Sequence, residues 1–267
     1  MVSSQSHLRS AAQPPSLLEL PSKLGRREEG HWQLSVYPEA AEAGGCFVSA
    51  GRPPGGGGGG LGGYFESVEE KNDGRARGKI RRYGAANRLN RLGTLTYAGE
   101  GCHDPSVVRN HLAKFFRSLR QAVGVKRFAY LWTDEWHPGG HGLHAHFAVG
   151  RFIPRSALER SWPHGFVHIK LIGDLPTGSG ALEEARRAAL YLGKYAAKRA
   201  ESRRGGLHRY EVGQGFQPRQ IQLTGRSDTE VIAKGTDLMG REPVLVRRSS
   251  QKEKWAGPPT VWLMWSK

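Results

Sequence analysis

The chain contains 267 residues and carries a formal net charge of +16, an excess that favours polyanionic partners such as nucleic acids. No apolar run is long enough to span a bilayer or to serve as a secretory signal near Met1, and two cysteines are too few for a disulfide framework. We therefore expect a cytoplasmic, nucleic-acid-binding protein with free thiols and no membrane contact.

The first 74 residues differ in composition from the rest of the chain. The pairs Pro14-Pro15 and Pro53-Pro54 and the run Gly55–Gly60 mark low-complexity sequence that cannot bury enough apolar surface to fold alone. Short apolar pieces such as Trp32–Tyr37 have strand character. We interpret residues 1–74 as a mostly disordered arm.

A basic segment lies between residues 75 and 91, with seven basic residues and no acidic one. A solvated helical face is one interpretation. Because the sequence offers no acidic residue nearby to pair with these charges, we favour contact with DNA. The predicted DNA-binding residues are Arg75, Arg77, Lys79, Arg81, Arg82, Arg88 and Arg91, together with Lys194.

Strands and helices alternate after this segment. Leu92–Tyr97 has the alternation of a strand. Asp104 supplies an N-cap, Pro105 fits the first helical turn, and apolar residues continue at helical spacing to about Val123. The later predicted elements are a strand over Phe128–Trp136, a turn over His137–Gly140, a strand over Leu143–Val149, a helix over 154–162, a strand over Phe166–Leu171, a helix over Leu182–Ala200 and strand-like pieces at 210–212, 244–246 and 261–264.

This order of elements predicts an α+β domain with a mainly antiparallel central sheet and helices packed against one face. Strand, tight turn and strand over residues 128–149 form an antiparallel hairpin. We assign residues 75–220 to the domain and residues 221–267 to a C-terminal tail that contains strands.

Two histidines, His144 and His146, lie two residues apart in the apolar run. Because side chains alternate along a strand, both imidazoles point to one face and form half of a metal site. A strand whose polar face simply carries histidine is the alternative. Glu135 ends the preceding strand, and antiparallel pairing can bring its carboxylate beside the pair as a hard ligand.

Other candidate ligands have weaker support. Asp134 is the fallback carboxylate, although alternation puts it on the opposite strand face from Glu135. His137 and His141 lie in or beside the turn. Cys102-His103 lies on a loop with no second cysteine nearby.

A stripe on the long helix carries Tyr191, Tyr195 and Lys198, with Lys194 at its side. Plain packing is one interpretation of the tyrosine pair. The ordinary pKa of a tyrosine is about 10, and nearby ammonium groups favour the phenolate. Together with a divalent ion that polarises the electrophile, this stripe predicts a tyrosine that attacks a phosphodiester.

Three segments in order resemble the motifs of rolling-circle replication initiators of the HUH endonuclease superfamily. They are Thr94–Tyr97, the His-hydrophobic-His motif at residues 144–146, and the Tyr-x-x-Lys-Tyr-x-x-Lys motif at residues 191–198. The resemblance covers about residues 75–212, and the flanking sequence looks like initiators of actinobacterial plasmids and integrative elements.

The resemblance implies an RRM-like or ferredoxin-like HUH fold and a bacterial nicking endonuclease. It implies that His144, His146 and Glu135 hold Mg²⁺ or Mn²⁺ against the scissile phosphate. Tyr195 would attack single-stranded origin DNA, leaving a 5′-phosphotyrosyl link and a 3′-OH that host polymerase extends. Lys198 would orient the nucleophile or stabilise charge, and Tyr191 would make a second cut.

No Walker-type motif is found in the sequence, so a host helicase is the expected partner for unwinding. The alternatives are a transposase or mobilisation relaxase with the same chemistry, a catalytically silent DNA-binding domain, and a metal-dependent phosphodiesterase that acts through water. The last of these would not need Tyr195.

Overall fold

The computed structural model describes residues 30–50, 68–172, 179–198, 210–251, 255 and 257–266. Over these residues the chain forms ten β-strands and five α-helices. In chain order they are β1 (Gly30–Tyr37), β2 (Glu42–Ser49), α1 (Val68–Ala86), β3 (Arg91–Tyr97), α2 (Pro105–Ala122), β4 (Tyr130–Trp136), β5 (Leu143–Val149), α3 (Arg155–Ser161), β6 (Gly165–Leu171), α4 (Ala181–Lys198), β7 (Glu211–Val212), β8 (Ile221–Gly225), α5 (Asp228–Met239), β9 (Leu245–Arg248) and β10 (Thr260–Met264).

Within the described ranges, the strands form two antiparallel sheets of five strands each. The central sheet has the order β6-β3-β5-β4-β7, and the terminal sheet has the order β8-β1-β2-β10-β9. The α+β class predicted from the sequence is therefore confirmed, and the arrangement is consistent with an RRM-like or ferredoxin-like HUH fold. The sequence did not predict the second sheet.

Strand β5 lies in the middle of the central sheet and is buried along its whole length. Its neighbour β3 approaches closely because Gly93 stands opposite Phe147. A Cβ atom at Gly93 would lie 2.1 Å from the ring of Phe147, so the absence of a side chain there makes room for the ring.

Helices α2 and α3 cover one face of the central sheet. The Asp104 side chain accepts hydrogen bonds from the backbone N–H groups of Ser106 and Val107, and Pro105 occupies the first turn, as the sequence predicted. The apolar stripe of α2 packs against the sheet residues Leu95, Trp132 and Phe147. That stripe consists of Val108, Leu112, Phe115, Phe116 and Leu119.

Helices α1 and α4 cover the opposite face, so the prediction that helices pack against one face is wrong. The reason is that the second face is also apolar beyond the histidines, with Leu92, Leu131 and Ala148 buried there. The two helices pack tightly, and a Cβ atom at Gly84 of α1 would lie 3.0 Å from that of Ala189 in α4.

The terminal sheet corrects the prediction of disorder for residues 30–50, because these residues form β1 and β2. Leu34 and Val36 of β1 are buried with Val261 and Leu263 of β10. The partners β8 and β10 come from the far end of the chain, so no local pattern predicts this pairing. The rest of the predicted arm, residues 1–29 and 51–67, lies outside the described residues.

Residues 221–267, predicted as a strand-containing tail, supply three strands of the terminal sheet and helix α5, which the sequence did not predict. Helix α5 begins after the Ser227 cap and ends at Gly240, whose φ of 64° suits glycine. The division of the chain at residues 74 and 220 stays a prediction.

Arg186 connects helix α4 to the terminal sheet. Its guanidinium is buried, with 5% of the residue exposed, and one Nη atom donates to the backbone carbonyls of Ala40, Ala41 and Trp265 at 2.8–3.1 Å. The other Nη atom pairs with Glu183. Because these carbonyls come from both ends of the described chain, one side chain fixes α4 relative to the terminal sheet.

We expect Arg186→Met to lower the free energy of unfolding by about 3 kcal/mol, because it removes charge-assisted hydrogen bonds and leaves buried carbonyls unsatisfied. Urea denaturation measures the loss. Arg155→Met is the matched control, since Arg155 forms an exposed pair with Glu159 and should change stability by less than about 0.5 kcal/mol. Equal effects of the two substitutions would contradict a structural role for Arg186.

Candidate active site

The histidine pair lies where the strand period places it. His144 and His146 share the face of β5 that looks toward α4, while Ala145 and Phe147 are buried with α2 and α3 on the other face. Across the hairpin, Glu135 of β4 stands directly opposite His144. Register therefore brings all three side chains to the same face.

The three side chains converge on a single point. The Nε2 atoms of His144 and His146 are 3.0 Å apart, and each lies 3.6 Å from Oε2 of Glu135. Ligands about 2.1 Å from one ion and at right angles to each other lie about 3 Å apart, so this set fits one face of an octahedral site. These residues could therefore hold a divalent metal ion.

Burial prepares the imidazoles for metal binding. It lowers the pKa of His146 to about 4, assisted by the neighbouring His144. Burial also lowers the pKa of His144, although the Glu135 carboxylate opposes that shift. Both rings are therefore neutral near pH 7, which leaves a lone pair on each for a ligand bond.

Thr94 of β3 orients one ligand from behind. Its Oγ1 atom lies 3.1 Å from Nδ1 of His146, across the strand pair that joins β3 to β5. A hydrogen bond at Nδ1 fixes the ring so that Nε2 faces Glu135. Within the described part of the chain, Nδ1 of His144 has no comparable partner.

The weaker candidate ligands do not join this cluster. Asp134 is fully buried opposite Ala145, on the face of β4 away from the histidine pair. His137 comes closest, with its ring centroid 5.6 Å from that of His144. Neither it nor His141 or Cys102-His103 belongs to the metal-binding group found among the described residues.

Helix α4 brings both tyrosines to the same place. The Tyr195 ring stacks on the His146 ring with centroids 4.2 Å apart, and Tyr191 meets His146 edge-on at 5.9 Å. The two tyrosine rings are 4.9 Å apart. Tyr191, one turn earlier, is 40% exposed, so the pair leads from the histidines to solvent.

The expectation that lysines favour the phenolate is not met at Tyr195. Burial raises the pKa of Tyr195, and a hydrogen bond from its hydroxyl to Tyr191 and the charge of Glu135 add to the effect. Lys194 is exposed on the outer side of α4, and Lys198 ends the helix with a side chain outside the described residues. The resting hydroxyl of Tyr195 is thus neutral.

A groove of about 1080 Å³ opens beside the tyrosines. His146, Tyr191 and Thr94 form part of its lining, next to the candidate metal centre. Its cationic lining comes from α1, β6 and α4, namely Arg77, Arg81, Lys170, Arg187 and Lys194. Such a combination of positive charge and open shape suits a polyanionic chain.

The predicted basic segment divides between the groove and structural contacts. Arg75, Arg77 and Lys79 are exposed on α1, and Arg77 lines the groove together with Arg81. Arg88, in contrast, donates to the backbone carbonyl of Glu39. Arg91 similarly contacts Asn90 and the carbonyl of Gly150.

An acidic partner exists for two of these arginines, which corrects the expectation that none was near. Glu42 of β2, only 2% exposed, accepts hydrogen bonds from Arg81 at 2.7 and 3.1 Å, and Arg82 lies 3.7 Å from it. The partner was overlooked because residues 30–50 were predicted to be disordered. Part of the basic segment therefore holds α1 to the terminal sheet.

Three groove residues were not predicted at all: His168 and Lys170 on β6, and Arg187 on α4. A signal for the first two is present in the sequence. Residues 166–170 alternate between exposed and half-buried positions, and the polar members of the exposed set face the groove.

Comparison with known proteins agrees with the position of this site. Residues 90–200 match the family model for replication-associated proteins of the ORF2 type. The match spans β3 to α4 and includes the Thr94, histidine and tyrosine segments, and it supports a replication initiator family. No curated protein and no solved structure gives a match. Within the described residues, no helix has the length and apolar character needed to cross a membrane.

We expect His146→Ala and Glu135→Ala each to abolish specific Mn²⁺ binding, because each removes one of three converging ligands. Thr94→Val should weaken binding about 10- to 100-fold by releasing the His146 ring. Isothermal titration with Mn²⁺ measures the affinity.

His168→Ala is the matched control for the metal site, because His168 stands across β3 from His146 but outside the cluster. Its Mn²⁺ affinity should equal that of the unchanged protein. If His146→Ala retained that affinity, the Glu135, His144 and His146 cluster would not be the metal site.

Proposed function

We propose that the protein is a rolling-circle replication initiator that nicks single-stranded origin DNA through Tyr195. The observation that carries the proposal is the stacking of Tyr195 on His146, at the end of a cationic groove. A nucleophile, a set of metal ligands and a channel for a polyanion meet within a few ångströms.

The groove residues would bind and orient the substrate. Lys170 and Lys194 face each other from β6 and α4 and would hold backbone phosphates on either side of the strand. Glu135, His144 and His146 would hold Mg²⁺ or Mn²⁺, which when bound polarises the scissile phosphate. The chain thereby positions the phosphorus atom beside the Tyr195 hydroxyl.

The first cut is a transesterification. The Tyr195 oxygen forms a bond to phosphorus as the bond from phosphorus to the 3′-oxygen breaks. The phenolic proton leaves through the hydroxyl of Tyr191 to solvent, and the departing 3′-oxygen takes a proton from water. The products are a 5′-phosphotyrosyl link and a 3′-OH primer. Because burial raises the pKa of Tyr195, proton removal accompanies attack rather than preceding it.

Tyr191 is suited to a second transesterification. It lies one helical turn from Tyr195, its ring meets the same histidine, and its side chain is more exposed. In the proposal, Tyr191 cuts the regenerated origin and the first DNA end is rejoined, so water is not needed to end the cycle. Lys198 would stabilise charge at the same end of α4.

Further components complete the proposed activity. A host helicase would expose the single strand and a host polymerase would extend the primer, in the bacterial cytoplasm. An origin on a plasmid or integrative element of the actinobacterial type would be the target.

A pool of single-stranded DNA of random sequence, labelled at its 3′ end and incubated with Mn²⁺, tests the chemistry. The fragment downstream of the cut carries the label and becomes attached to protein, so a labelled band should appear on a denaturing protein gel. Tyr195→Phe should reduce this adduct by at least about 1,000-fold, because the nucleophilic oxygen is gone.

Two further variants make the result specific. Tyr191→Phe should still form the adduct but fail to rejoin strands, and Tyr37→Phe, whose hydroxyl contacts Gln220 away from the groove, should behave as the unchanged protein. Cleavage without an adduct would instead indicate a phosphodiesterase that uses water. An adduct lost in Tyr191→Phe but kept in Tyr195→Phe would reverse the roles of the tyrosines.

A further inference from the structure

An exposed aromatic side chain lies on the same face as the candidate metal centre. Phe166 of β6 is 71% exposed, although it belongs to a regular strand. Its neighbour Val167 points the other way, toward α2 and α3, and packs against the core there. An aromatic ring left in water on a sheet face costs free energy unless a partner covers it.

Strand register links Phe166 to the metal ligands. Phe166 pairs with Thr96 of β3, and one step along the strands His168 pairs with Thr94, which in turn pairs with His146. Phe166, His168 and His146 therefore share one sheet face, and β6 lies two strand spacings from β5, about 10 Å. That separation is within the span of a few nucleotides of a single strand.

The surroundings of Phe166 combine apolar and cationic surface. His168 and Lys170 follow it along the same face of β6 and line the groove. From the opposite wall, α4 adds Leu190, which is 57% exposed, and Lys194. A single-stranded nucleic acid presents matching features, with bases for the apolar surface and phosphates for the cations. Bases stacked inside a duplex cannot offer their faces in this way.

We infer that Phe166 is a stacking platform for a base of the single strand, a few nucleotides from the phosphate at the metal centre. This inference rests on the proposed function, because it takes the groove to be the path of the DNA. It assigns the edge strand β6 to substrate binding: Phe166 holds a base while Lys170 contacts the backbone.

Binding without cleavage tests the inference separately from the nicking chemistry. In EDTA, a fluorescent oligothymidylate should bind Phe166→Ala about 5- to 150-fold more weakly than the unchanged protein, the range for loss of one base stack. Phe166→Trp should restore affinity. Phe152→Ala is the matched control, because Phe152 is 72% exposed but follows the other end of β5, and its affinity should not change.

An abasic oligonucleotide of the same length separates stacking from charge. It should bind Phe166→Ala and the unchanged protein equally, whereas Lys170→Gln should weaken both oligonucleotides and reduce the salt dependence of binding. Unchanged affinity of Phe166→Ala for oligothymidylate, or an equal loss on the abasic chain, would overturn the inference; unchanged affinity would direct the ring to a protein partner instead. Failure of adduct formation would overturn the nicking proposal but leave these affinities to be judged alone.

Discussion

The register between β4 and β5 is the constraint on which the candidate active site depends. A slip of one residue would turn Glu135 toward α2 and carry Asp134 to the histidine face, since side chains alternate along a strand. The register is held by the buried face, where Trp132 and Phe147 are opposite each other and pack under α2. A hydrophobic core on one side of the sheet thus determines the ligand geometry on the other.

The two faces of the central sheet have different tasks. The face under α2 and α3 is filled with large aromatic side chains and provides rigidity. The other face is only partly covered, because α1 and α4 pack over its middle and leave β6 open. The uncovered part is where the groove forms. Incomplete packing on this side is what makes room for a substrate beside a rigid set of ligands.

Features set by short stretches of sequence could be predicted. The cap and stripe of α2, the common face of His144 and His146, and the tyrosine stripe of α4 all follow from local periodicity, and the structure brings the last two together. Features set by distant pairing could not. Strands β1 and β2 gain their stability from β8 and β10, so Glu42 was not available in the sequence as a partner for Arg81. The raised pKa of Tyr195 likewise arises from burial that spacing does not reveal.

The cage of carbonyls around Arg186 has a consequence for the order of synthesis. The ribosome makes the turn at Ala40 and Ala41 first, helix α4 later, and Trp265 near the end of the described chain. Until Trp265 emerges, the guanidinium lacks one of its acceptors and β2 lacks its partner β10. A nascent chain can therefore assemble the metal ligands on β4 and β5 well before the helix with the tyrosines is locked in place. Completion of the terminal sheet acts as a natural delay between the appearance of the site and its final alignment.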